Sequence, residues 1–188
     1  MKILILGPQG SGKSTQAELL AKKFQWPHIE MGGLLRSAAD EDTEEGRKIR
    51  LSVESGTLVD FGPTVEILKR RLLKSDCSQN YVLDGFPRNI NQIKLFDPPL
   101  DKVIYLTLPD EIAIKRLTKR GREDDTPEII RQRLEIFHNE TEPVLDYYKG
   151  KGILEEVDGT PDIETIFNDL TTRIENSDGQ KPTGNFKN

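Results

Sequence analysis

The sequence predicts an α/β fold with a parallel sheet, and two observations support that prediction. Short apolar runs alternate with helical patterns along the chain, an order typical of strand–helix–strand units with right-handed crossovers and helices on both faces of the sheet. A glycine-rich stretch also joins the first apolar run to the first helical pattern. Such a strand–loop–helix junction is typical of α/β proteins that bind phosphate groups.

The expected elements follow this alternation. We expect strands over residues 3–6, 27–30, 81–84, 102–106 and 153–157. We expect helices over residues 13–24, 34–40, 43–55, 63–74, 110–119, 127–148 and 161–175, and a further helix after the strand that ends at residue 84. Residues 176–188 are polar and show no periodicity, which predicts a flexible tail.

Composition limits the class of protein. The 188 residues suit one domain with a substantial core. The net charge of −5 and the charged fraction of 31% argue against a nonspecific nucleic-acid binder and a membrane protein. No apolar run approaches the ~18 residues of a spanning helix, and the N-terminus enters a strand directly, so we expect a cytoplasmic protein. Cys77 is the only cysteine, and His28 and His138 lie far apart, so neither a disulfide nor a histidine-based metal site is expected.

The central motif is the phosphate-binding loop at residues 7–15, where a glycine, four residues and Gly-Lys-Ser follow a strand. The glycines allow backbone N–H groups to converge on a polyphosphate at the N-terminus of the next helix. Lys13 would reach the β- and γ-phosphates, and Ser14 would ligate Mg²⁺ with support from Thr15. The sequence therefore predicts a nucleoside triphosphate site, and a glycine-rich turn without a ligand is the alternative.

Asp84 and the arginines indicate where a second phosphate would bind. Asp84 closes a predicted strand at the sheet edge, where an acid would act on the Mg²⁺ held by phosphates or merely cap a helix. Arg88 follows four residues later and suits a bidentate grip on phosphate. Arg116 and Arg120 would form an unpaired pair of like charges on one helix face, which a nearby anion would explain. Arg131 and Arg133 lie on different faces of a predicted helix, so at most one of them should point into the site.

These features make the chain similar to the adenylate kinase family of nucleoside monophosphate kinases over about residues 1–174. The matching motifs are residues 7–16, 33–36, 56–59, 84–88 with Gln92, 119–125, 131–134 and 157–160. The resemblance implies a three-layer P-loop fold with a five-stranded parallel sheet over residues 1–175. It also implies an acceptor-binding helical insert at residues 30–59 and a minimal lid at residues 120–126.

The resemblance further implies reversible, Mg²⁺-dependent phosphoryl transfer from ATP to AMP, giving two ADP. Separately, we expect a monomer, and the composition predicts no nucleic-acid or membrane partner. It gives catalytic roles to Lys13, Arg88, Arg122 and Arg133. It assigns ATP binding to Gly10, Ser11, Gly12, Lys13, Ser14, Thr15, Arg116, Arg120 and Gly159. It assigns AMP binding to Met31, Arg36, Thr57, Leu58, Val59, Gly85, Arg88, Gln92, Arg122 and Arg133. Ser14 and Asp84 would hold Mg²⁺ directly or through water.

The number of arginines agrees with this chemistry, because transfer between two polyanions needs fixed positive charges and no covalent enzyme intermediate.

The sequence departs from the family at Ser14, Met31 and Gly33, where glycine, threonine and aspartate are usual. Because of the change at Met31, the sequence does not decide which base the acceptor carries, so a CMP or UMP kinase is an alternative. The lid is also short, with five residues between Arg120 and Thr126. A third interpretation is a P-loop switch protein. Residues 91–94, however, do not supply the Asn-Lys-x-Asp motif that a GTPase uses to bind guanine.

Overall fold

A five-stranded parallel sheet forms the centre of the computed structural model, which describes residues 1–55, 57–121 and 125–178. The strands lie in the order β2-β3-β1-β4-β5. They are β1 (Lys2–Leu6), β2 (His28–Glu30), β3 (Tyr81–Asp84), β4 (Lys102–Thr107) and β5 (Leu154–Asp158). All four pairings are parallel, which confirms the predicted fold class.

Helices connect the strands and cover the sheet. They are α1 (Lys13–Phe24), α2 (Met31–Ala39), α3 (Glu44–Ser55), α4 (Phe61–Leu72), α5 (Ile90–Leu95), α6 (Asp110–Arg120), α7 (Pro127–Ile136), α8 (Glu142–Gly150) and α9 (Ile163–Asp178). A short 3₁₀ turn, Ser75–Cys77, precedes β3, and a π-helical segment, Phe137–Thr141, joins α7 to α8. None of the described helices is long and apolar enough to cross a membrane.

The core has two halves, one on each face of the sheet. Ile3 and Ile5 of β1 pack into a cluster with α1 and α9, whereas Leu4 and Leu6 pack on the opposite face with residues such as Leu68 of α4. Successive side chains of a strand point to opposite faces, so the continuous apolar run of β1 serves both layers. The result is the three-layer arrangement that the alternation of elements predicts.

Strand register brings the candidate site together at one edge of the sheet. Ile5 of β1 lies opposite Asp84 of β3, and Glu30 of β2 lies opposite the same Asp84. The glycine-rich loop leaves the sheet directly after β1, the central strand. Ligands of open parallel sheets bind outside the carboxyl ends of the strands, where the strand order reverses, and this edge is such a place.

Two helical regions differ from the sequence prediction. Helix α2 begins at Met31 rather than at residue 34, because the extended residue Glu30 acts as its N-cap and the glycines at 32 and 33 continue the helix. The long helix expected at 127–148 is interrupted at Phe137–Thr141 and extends to Gly150. Pro143 has no N–H to donate, which accounts for a break in the regular hydrogen-bond pattern at this point.

The prediction of a tail from residue 176 is wrong at its start, because α9 continues to Asp178. Ser177 anchors this last turn. Its hydroxyl donates to the Arg173 carbonyl over 2.7 Å and accepts a 2.7 Å hydrogen bond from Nζ of Lys102, a buried lysine on β4. Lys102 also pairs with Glu155 at 2.6 Å. Residues 179–188, the rest of the expected tail, lie outside the described residues.

Replacing Ser177 tests this anchor. We expect Ser177→Ala to lower the free energy of unfolding by about 1–2 kcal/mol, because a buried ammonium loses one of its acceptors. Chemical denaturation measures the change. Thr172→Ala is the matched control, since this exposed α9 hydroxyl bonds only the Asn168 carbonyl in the described structure and should contribute less than about 0.5 kcal/mol. Equal losses in the two variants would contradict the anchor.

Candidate active site

The glycine-rich loop folds as a cradle between β1 and α1. Gly10 and Gly12 have φ of 86° and 87°, in the left-handed region that favours glycine. A Cβ on Gly10 would also lie 3.0 Å from the Ala113 carbonyl oxygen of α6. No side chain caps the start of α1 at Gly12. The first backbone N–H groups of α1 are therefore available to an anion at the positive end of the helix dipole.

Lys13 projects from the start of α1 into a cavity at this edge of the sheet. Its ammonium donates to the Pro8 carbonyl over 3.2 Å. Desolvation by burial lowers the pKa of Lys13 to about 8, while Asp84 acts in the opposite direction. A bound polyphosphate would stabilise the charged form, so this lysine is poised to respond to an anion.

Asp84 and Ser14 form the polar pair expected of a magnesium site. The Ser14 hydroxyl donates to Oδ2 of Asp84, a side chain that is only 2% exposed. Oδ1 of Asp84 is buried and has no hydrogen-bond partner among the described residues. The described residues contain no cluster of three His, Cys, Asp or Glu side chains suited to a metal. One carboxylate and one hydroxyl fit Mg²⁺, which takes its remaining ligands from water and substrate phosphates.

Arg88 lies in the loop between β3 and α5, which Gly85 turns with a φ of 84°. Its Nε donates to the Gly85 carbonyl over 3.0 Å, and burial holds the pKa of Arg88 below its usual value. The backbone N–H of Arg88 donates to Oε1 of Gln92 over 2.7 Å. Gln92 also lines the cavity, so the group that it can offer to a ligand is its amide NH₂.

Positive charge dominates the cavity. Its lining includes five cationic side chains, Lys13, Arg36, Arg88, Arg120 and Arg133, and two carboxylates, Glu30 and Asp84. Among the other predicted residues, Arg131 is exposed outside it, and Arg122 lies outside the described residues together with the neighbouring positions 123 and 124.

Asp125 pairs with two of these arginines. Its carboxylate, which is 0% exposed, accepts hydrogen bonds of 2.6 and 2.8 Å from Arg120 and lies 3.6 Å from Nη1 of Arg133. Arg116, by contrast, donates to the carbonyls of Gly159 and Thr160 over 2.8 and 2.9 Å. The expectation of an unpaired pair of like charges at Arg116 and Arg120 is therefore wrong, because each arginine has its own acceptors.

The loop after β5 closes the base of the glycine-rich loop. A Cβ on Gly159 would lie 2.7 Å from the Thr107 carbonyl oxygen and 3.4 Å from that of Ser11, so only glycine fits there. Ser11 is fully buried, whereas Thr15 is exposed. The predicted ATP-binding residues absent from the cavity lining are Gly10, Ser11, Gly12, Thr15, Arg116 and Gly159, which build the cradle beside it.

The residues predicted to bind the acceptor lie together on a largely apolar wall of the cavity. The predicted residues Met31, Thr57, Leu58, Val59 and Gly85 all line it, and Met31 is 1% exposed. Outside the motifs that it identified, sequence reasoning missed the lining residues Leu6, Glu30, Gly32, Val53, Thr64, Ile136, Phe137 and Thr141. Most of these residues lie on helices, where apolar spacing indicates a core face and does not distinguish a cavity wall from a filled core.

The π-helical segment Phe137–Thr141 supports the loop that carries Arg88. The Thr141 hydroxyl donates to the Arg88 carbonyl over 2.9 Å, and the amide of Asn89 donates to the Glu140 carboxylate. Interruptions of this kind often occur at functional sites. The only sequence signal for this one was Pro143, inside a helical pattern.

Comparison with known proteins agrees with this site. A family model for adenylate kinase matches residues 5–153. The chain is 40% identical over 186 residues to an adenylate kinase of Bifidobacterium longum, covering 93% of this chain and 100% of that protein. It is 38% identical over 177 residues to one of Stenotrophomonas maltophilia, covering 88% of this chain and 95% of the other. The chain belongs to the adenylate kinase family.

Proposed function

We propose that the protein catalyses reversible, Mg²⁺-dependent transfer of a phosphoryl group from ATP to AMP, giving two ADP. The observation that carries the proposal is a single cavity that joins Lys13 and Ser14 of the phosphate-binding loop to four arginines and an apolar wall. Two polyanions can meet there, since fixed positive charges offset their repulsion.

The proposed roles follow from position. The phosphates of ATP bind over the N-terminus of α1 and contact Lys13, while Arg36 and Arg88 hold the phosphate of the acceptor. Arg120 and Arg133, which line the same cavity, stabilise the transferring group, and the family resemblance alone gives this role to Arg122 as well. No general base is needed, because a monophosphate has a second pKa near ~6 and is largely ionised at neutral pH.

Ser14 and Asp84 are the residues proposed to hold the metal, directly or through water, since they combine a hydroxyl with an unpartnered buried carboxylate oxygen at the edge of the sheet. Bound there, Mg²⁺ would neutralise charge on the phosphates of ATP. On the acceptor side, the amide of Gln92 and the apolar wall around Met31 and Val59 are proposed to receive the adenine base.

A coupled assay of ADP formation, with AMP, CMP, UMP and GMP as acceptors in turn, tests the proposed function. We expect kcat/KM for AMP to exceed the others by about tenfold or more, because a site built to hydrogen-bond one base leaves its polar groups unpaired with another. Comparable rates with all four acceptors, or no reaction with AMP, would contradict the assignment.

The lowered pKa of Lys13 predicts a pH dependence of ATP binding. Above about pH 8 the lysine of the free enzyme loses its proton, and ATP must restore that proton as it binds. We expect the affinity to be nearly constant between about pH 7 and about pH 7.5 and to fall by up to about tenfold per pH unit above about pH 8. Calorimetry in two buffers of different ionisation enthalpy should detect proton uptake at pH 9 and little at pH 7.

The matched variant for this prediction is Lys13→Arg, whose side chain keeps its charge over this range. The absolute affinity of this variant for ATP can differ from that of the unsubstituted protein, but it should not decline above about pH 8. Wild-type affinity that stays constant to pH 9.5 would show that Lys13 does not respond to the phosphates.

Asp84→Asn tests the magnesium site, because the substitution removes the charge while keeping the shape of the side chain. We expect the half-saturating Mg²⁺ concentration to rise by about 10- to 100-fold. Asp42→Asn is the control, since the Asp42 side chain is 97% exposed and lies away from the cavity. If the Mg²⁺ dependence and the maximal rate of Asp84→Asn are both unchanged, Asp84 does not hold the metal and only accepts the hydrogen bond of Ser14.

A further inference from the structure

Glu30 is an acidic residue in a cavity that the proposed function fills with phosphates. It ends β2, pairs in register with Asp84 of β3, and lines the same cavity as Lys13 and Arg88. Its Oε1 accepts a hydrogen bond of 3.0 Å from Nη2 of Arg36. The proposed mechanism uses Arg36 for the acceptor phosphate but leaves Glu30 without a role.

The backbone around Glu30 makes room for its carboxylate. Glu30 is the N-cap of α2, so its side chain lies beside the first turn of that helix. A Cβ on Gly33 would lie 3.0 Å from Oε2 of Glu30, and a Cβ on Gly32 would lie 3.1 Å from Nη1 of Arg36. Larger residues at these two positions would crowd the carboxylate or the guanidinium. The two glycines therefore permit the pairing of Glu30 with Arg36.

The carboxylate also acts on the other cations of the site. It opposes the lowering of the pKa of Lys13 and of Arg88, although burial outweighs it in both cases. Glu30 is thus an anion placed among Lys13, Arg36 and Arg88, the three cations proposed to meet the substrate phosphates.

We propose that Glu30 is a positioning residue that occupies Arg36 until the phosphate of the acceptor displaces it, and that it thereby weakens acceptor binding. This inference rests on the proposed function. The side chains of Glu30 and Arg36 are 36% and 50% exposed, and a pair so accessible to water is weak. A dianionic phosphate offers the guanidinium a stronger, bidentate partner, so the exchange is favourable. Once displaced, the carboxylate remains beside the phosphate and repels it.

Glu30→Gln tests the proposal, because it removes the charge at nearly constant shape. We expect the Kd for AMP, measured by calorimetry in the absence of ATP, to fall by about three- to tenfold. Adenosine, used as a competing ligand in the same experiment, should bind with a Kd changed by less than about twofold, since it carries no phosphate. A role of Glu30 in the structure of the pocket alone would change both ligands together.

Glu66→Gln is the matched control, because Glu66 forms a similar exposed pair with Lys69 on α4 and does not line the cavity. Its Kd for AMP should equal that of the unsubstituted protein. An unchanged or weaker affinity of Glu30→Gln for AMP, or equal tightening for adenosine, would overturn the inference. A failure of the proposed function would be distinct, since the unsubstituted protein itself would then not use AMP.

Discussion

Positive charge held in a cavity that must remain open to phosphate is the constraint on which the rest of this structure depends. Five cationic side chains line one cavity, and their mutual repulsion and desolvation both oppose folding. The fold relieves this cost with carboxylates. Glu30 pairs with Arg36, and Asp125 pairs with Arg120 and Arg133. Such pairs offset the repulsion among the cations when no ligand is bound, and a phosphate that binds the same guanidinium groups would compete with them.

The parallel sheet sets the geometry in which this exchange can occur. Asp84, Glu30 and the glycine-rich loop follow neighbouring strands in register, so acids and phosphate-binding N–H groups share one edge. The helices that follow β1 and β2 carry the complementary charge, with Lys13 at the start of α1 and Arg36 in the last turn of α2. Because the strands are parallel, their carboxyl ends lie at the same edge of the sheet, and the charged groups that follow them form one compact site.

Much of the fold was predictable because the responsible interactions are local. Glycine at positions 10 and 12 and the apolar run before them predicted β1, the loop and α1, whose bounds of 13–24 agree with the structure. The partners of the site arginines were not predictable. Arg116 bonds carbonyls of a loop more than 40 residues away, and Thr141 reaches the Arg88 carbonyl across 53 positions. Residue spacing along one helix gives no information about contacts with distant parts of the chain. Arg116 and Arg120 were therefore inferred to be an unpaired pair of like charges, although each has acceptors in the structure.

The glycine at position 33, one of the departures from the family pattern, is explained by its contact with Glu30. The resemblance predicts an aspartate where Gly33 stands, in the first turn of α2. Here the carboxylate comes from the N-cap residue instead, and it lies over the space that a Gly33 side chain would need. A negative charge near the N-terminus of a helix remains favourable in either position. At Glu30 this charge contacts Arg36, so the same carboxylate that lies at the helix N-terminus is the proposed competitor for the phosphate-binding arginine.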